Sequence, residues 1–188
     1  MLARVRALER GGEDPTGVER RDLLERAIRM APDWVSPVRL QDELDLTKLR
    51  GPVVLARRRA ALEAAGDPLA RARASYLLGR LGGDESHGLM SDSVRYDQAF
   101  AWGHHGLAWG ASERGDVSEA ILHERRATSL ARDSFDRALF TLSLAHYLRS
   151  EEREEDAYTI LVALSEELVL SESDSVWLAA ERAAFGLQ

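Results

Sequence analysis

Residues 101–131 read AWGHHGLAWGASERGDVSEAILHERRATSLA, and this stretch decides the fold. Gly115-Asp116 interrupts a helical pattern, and Ala120 and Ala127 then recur seven residues apart on one face of a second helix. Two helices joined by a short Gly-Asp turn make a hairpin. Where helices pack closely, a small residue lets the neighbour approach to the 8 to 10 Å interaxial distance that side chains permit. The spacing therefore predicts paired helices with alanines at their contacts.

Working outward, helical signals recur and strand signals do not. The sequence predicts helices at about 2–10, 18–31, 52–65, 69–82, 92–113, 117–131, 135–149, 154–169 and 174–186. Gly11-Gly12 stops the first and Pro32 comes after the second, while Pro52 opens the third. Gly66-Asp67-Pro68 separates the third from the fourth, with Pro in the first helical turn. Ser173 or Asp174 can cap the last. Two segments fit less simply. Residues 33–51 hold one short helix, Pro37 to Leu44, and the Gly- and Ser-rich 82–93 is either a shortened helix at about 86–95 or a loop of a dozen residues.

The 101–131 stretch resembles a tetratricopeptide repeat, whose first helix carries Trp, Leu-Gly and Tyr and whose second carries Ala, an aromatic and Pro. Trp102, Gly106 and Trp109 match in one register; read back from Gly115-Asp116, Leu107-Ala108 is the Leu-Gly pair instead. Leu144-Ala145, Leu148, Ala157 and Leu161 fit a second repeat, and Ala120 to Ala157 spans 37 residues against about 34 in the family. The three extra residues are expected in the turn around Asp133-Ser134-Phe135. Leu24, Ala27 and Pro32 match a further second helix, and Leu78-Gly79 a further first helix. Glu124 departs from the pattern where an aromatic is expected, and Arg132 where Pro is common.

This resemblance implies an all-α, right-handed superhelical solenoid of antiparallel helix hairpins over residues 1–188 as one domain. Its best-matched repeats are 101–134 and 138–168, with partial repeats at 1–34 and 52–95. Trp177, Ala180 and Ala184 mark a capping helix at 174–186.

Composition bounds the function. With 45% hydrophobic residues the chain can bury a sizeable core, and its net charge of −7 excludes a generally basic nucleic-acid binder. The absence of Cys removes thiol chemistry and disulfides. No apolar run is long enough for a secretory signal or a membrane span, so a cytoplasmic location is the default. Charge is uneven: residues 1–80 carry 16 Lys+Arg and 12 Asp+Glu, net +4, whereas 81–188 carry 9 and 20, net −11. The positive excess sits at Arg50, Arg57, Arg58, Arg59, Arg71, Arg73 and Arg80. Solvated helix faces account for such a split; so would an acidic partner, or head-to-tail stacking of identical chains.

Chemical motifs are lacking. There is no nucleophile elbow, and Lys48, the only lysine, is followed by Leu-Arg rather than completing a phosphate loop. His104 and His105 are adjacent, hence about 100° apart on a helix, and cannot share one metal ion. His105 could meet His146, with His123 near, but no His pair four residues apart occurs on any helix. The acidic run Glu151–Asp156 sits where it complements a helix N-terminus. No catalytic residue, metal site or cofactor is therefore expected. Trp102, His105 and Trp109 form one helical stripe, which in the register read from Gly115-Asp116 faces a concave groove, whereas in the other register Trp102 and Trp109 pack between hairpins. The matching stripes are Arg73, Tyr76 and Arg80 before it and Leu142, His146 and Arg149 after it. The resemblance thus implies a non-enzymatic module that binds a partner peptide or helix, acidic or apolar, without nucleic acid or membrane. The other readings are a small helical enzyme or His-metal protein, and a self-assembling structural unit.

Overall fold

The computed structural model describes residues 18–46 and 51–168. Among these, nine helices and no strand occur: α1 Val18–Met30, α2 Val35–Leu46, α3 Gly51–Ala64, α4 Pro68–Gly79, α5 Ser86–Tyr96, α6 Ala101–Glu113, α7 Val117–Leu130, α8 Ser134–Ser150 and α9 Glu154–Leu168. They pack in sequence as adjacent pairs, most extensively α6 with α7, α4 with α5 and α7 with α8, while α4 also touches α6. The expected helices at 2–10 and 174–186 lie outside the described residues.

Three expectations are corrected. The single helix expected at 92–113 is two, because Asp97 folds the chain over: its side chain accepts from the Ala99 N–H (2.9 Å) and its carbonyl from that of Phe100 (3.0 Å). The pair partner of α4 is therefore the shortened helix over 82–93 extended to Tyr96. Residues 33–51 hold a full helix from Val35 to Leu46, since Pro37 falls in its first turn, where a missing N–H costs nothing. The extra residues expected in the turn around Asp133-Ser134-Phe135 are not found there: α8 starts directly behind the Asp133 N-cap and is itself four residues longer than α6, 17 against 13.

Turn chemistry repeats. After α6, Gly115 adopts φ 80° and the Asp116 N–H reaches back to the Ala111 carbonyl at 3.0 Å. After α8, 37 residues on, Glu152 adopts φ 59° and the Arg153 N–H bonds the Leu148 carbonyl at 2.9 Å. Both are helix endings that need a left-handed residue, which glycine supplies without a Cβ penalty and glutamate does not. Glu152→Gly is therefore expected to stabilise the chain by about 1 kcal/mol, read as a higher urea midpoint.

Alanines recur in the buried core. Ala108, Ala111, Ala120, Ala138, Ala145 and Ala157 are all buried in one cluster with Ile121, Leu142, Leu144, Leu148, Leu161 and Leu164. Ala120 and Ala157 thus occupy the buried positions that the spacing predicted. Replacing Ala120 by Leu is expected to cost about 1–3 kcal/mol by overpacking, measured by chemical denaturation. A second cluster gathers Tyr76, Met90, Phe100, Trp102, Ala127 and Phe140, joining α4 to α8 through α6.

Candidate functional site

Four of the nine expected groove residues meet in one cleft. Tyr76 and Arg80 of α4 and His105 and Trp109 of α6 line an open space of about 180 Å³, together with Arg39 of α2, Met90 of α5 and Gly106. Positions 76 and 80, like 105 and 109, are four apart, so each pair stands on one face of its helix. Gly106 makes room at the floor: a Cβ there would collide with the Met90 side chain. Trp109 is 42% exposed at the rim, the most accessible aromatic of the cleft.

Cations crowd this space. Arg80 donates to Glu43 Oε1 at 2.9 Å, and Arg39 donates to the same oxygen at 3.3 Å. Arg39 also lies over the Trp102 ring, 4.7 Å from its centroid. Burial works against the Arg39 cation, but Tyr76, Glu43 and Asp136 hold its pKa above the ordinary arginine value. Arg80 Nη1 is buried without a hydrogen-bond partner, 3.9 Å from Asp42 Oδ2. Asp42, fully buried, is already taken by Arg58 at 2.8–3.1 Å and Arg57 at 2.9 Å. Asp45 is held by Arg57 and Arg21, each at 2.9 Å. In this network five arginines share three carboxylates, Asp42, Glu43 and Asp45. Among the described residues, this network holds more arginines than carboxylates.

His105 is oriented from behind. Its Nδ1 donates to Glu124, at 2.8 Å to Oε1 and 3.1 Å to Oε2, and Glu124 has no exposed surface. Burial pushes the Glu124 carboxyl up in pKa, an effect that His105 partly offsets. The Glu124 carboxylate, accepting from Nδ1, fixes the orientation of the His105 ring. Glu124, at the position where the repeat pattern expects an aromatic, backs the cleft histidine.

The other expected groove residues are placed elsewhere. Trp102 is 3% exposed, its Nε1 donating to Asp136 Oδ2 at 2.7 Å and its ring packed on Tyr76, His105 and Phe140 at 4.9–5.4 Å. It is a packing residue, as the alternative register expects, but Trp109, which that register packs as well, is exposed at the rim. Leu142 is fully buried and cannot line a surface. Arg73 turns toward the α1–α2 connection, donating to the Pro32 carbonyl and to Asp33 at 3.1 Å. His146 and Arg149 are exposed on α8 and outside this cleft. Sequence reasoning missed Arg39, hidden in a segment read as barely helical, and the role of Glu124, flagged only as a departure.

The histidines pair differently from the expectation. His104 Nδ1 meets His123 Nδ1 at 3.3 Å, and His104 Nε2 donates to the Gln98 carbonyl at 3.1 Å. Burial lowers the pKa of both rings. Among the described residues, no group of three His, Cys, Asp or Glu is placed to hold a metal ion, and no helix is long and apolar enough to cross a membrane. Of the positive cluster read along the first eighty residues, Arg50 lies outside the described residues and the others have partners: besides the network above and Arg73, Arg59 lies 3.9 Å from Glu85, and Arg71 donates to the Ala65 carbonyl at 3.2 Å. No family model, curated protein or solved structure matches the chain.

Proposed function

We propose that the chain is a tetratricopeptide-like, right-handed solenoid acting as a non-enzymatic interaction module, and that its cleft holds an acidic segment of a partner protein. The repeated left-handed helix endings at Gly115 and Glu152, the alanine contacts and the α4–α6 packing support the solenoid reading. The observation that carries the binding reading is the convergence of Arg39, Arg80, His105 and Trp109 on one open space beside a network short of carboxylates. Donors dominate that wall, because Glu43 is already shared by both arginines. A carboxylate from a partner would restore the balance, and Trp109 with Met90 would cover the apolar part of the same segment. Electrostatic complementarity of this kind sets specificity and association rate.

Selection of displayed random peptides on the intact chain tests the reading. Recovered sequences are expected to share an acidic residue beside an aromatic or aliphatic one, with affinity that falls as salt rises. A basic consensus, or none, would reject the proposal.

A further inference from the structure

A second cavity, of about 220 Å³, has Trp102 in its wall but opens among the first turns of α2, α4, α6 and α8. Its apolar sides are Trp34, Leu69, Phe100 and Leu130, and its acidic side is Asp133 and Asp136. Asp136 is 7% exposed and is held by two neutral donors, Ser36 Oγ on Oδ1 and Trp102 Nε1 on Oδ2, each at 2.7 Å. Among the described residues no cationic side chain forms an ion pair with it; Arg39 acts only from a distance. A buried carboxylate without a counter-ion is costly.

We infer that this cavity binds an alkylammonium group, carried on a free amine or on a lysine side chain of a partner. The ammonium replaces the counter-ion that Asp136 lacks, with Asp133 contributing beside it. Of the other charged groups on the lining, Asp33 is engaged by Arg73 and Arg132 is the one opposing cation. The aromatic and leucine sides suit a methylene stem, which gains by leaving water. Trp34 Nε1, on the same wall, is buried with no hydrogen-bond partner and calls for an acceptor such as a peptide carbonyl. The donor-rich cleft around Arg80 offers none of this chemistry, so the two sites take opposite charges. Burial and the neighbouring Asp133 raise the Asp136 carboxyl to about 6, so it is ionised and able to pair at neutral pH.

The test monitors the indole N–H signals of Trp34 and Trp102 by nuclear magnetic resonance during titration of the intact chain with n-butylammonium. Both signals are expected to shift saturably, and n-butanol, of the same shape but neutral, should bind at least about 10-fold more weakly. Asp136→Asn should lose about the same factor. Should that variant fail to fold, the wild-type chain decides: affinity must rise between about pH 5 and pH 7.5 as Asp136 ionises. Nα-acetyl-lysine methylamide distinguishes the sources. Tighter binding than n-butylammonium assigns the site to a lysine side chain with its backbone carbonyl on Trp34, and equal or weaker binding to a free amine. Absence of shifts, equal binding of the alcohol, an undiminished Asp136→Asn, or pH-independent affinity would overturn the inference.

Discussion

Trp102→Ala is expected to destabilise the chain by about 3–5 kcal/mol, enough to leave a domain of ordinary stability largely unfolded. The ring touches three other helices at once. Arg39 of α2 covers one face, Tyr76 of α4 lies 5.4 Å away, and Phe140 of α8 packs edge-on at 4.9 Å. Its Nε1–H also satisfies Asp136, so the deletion opens a cavity and removes a donor from a buried carboxyl in one step. Trp102→Phe separates these effects: it keeps most of the volume and should cost only the hydrogen bond, about 1–3 kcal/mol. Urea denaturation of both variants measures the difference.

Asp42→Ala is expected to cost about 3–5 kcal/mol. The carboxylate has no exposed surface and accepts a two-pronged bond from Arg58, whose side chain is itself buried. Without Asp42, Arg58 is left as an unpaired buried charge and Arg57 keeps only Asp45. The penalty belongs to the orphaned cation rather than to the pair. Adding Arg58→Met in the Asp42→Ala background should accordingly recover part of the loss, again read from the denaturation midpoint.

The helices were legible in the sequence because their signals are local. Asp67-Pro68 starts α4 with Asp67 accepting from the Ala70 N–H at 2.9 Å, and Gly115-Asp116 ends one helix and caps the next. Alanine spacing located the buried contacts at Ala120 and Ala157 for the same reason. Boundaries failed where a side chain overrode the periodicity, as Asp97 does between α5 and α6. The cleft was half legible. Stripes on α4 and α6 arise from helical spacing, but which residues of a stripe are covered depends on neighbouring helices. Trp102 disappears under Arg39 and Phe140, whereas Trp109, two turns on, stays at the rim. Arg39 and Glu124 required the tertiary structure, since one reaches the cleft from α2 and the other acts through His105. The arginine-rich stretch read in isolation does not show that Asp42 and Asp45, on a different helix, pair with Arg57 and Arg58.

Trp109→Ala, with affinity for a selected acidic peptide and stability measured on the same preparation, tests the groove most directly. Trp109 is half-exposed beside Arg80 and His105 and contributes little to the core. Binding should weaken by about 2 kcal/mol or more, close to 30-fold, as for a rim-to-centre aromatic anchor, while the denaturation midpoint stays nearly unchanged. Unfolding of the variant, or an unaltered affinity for the peptide, would contradict a binding groove at this face.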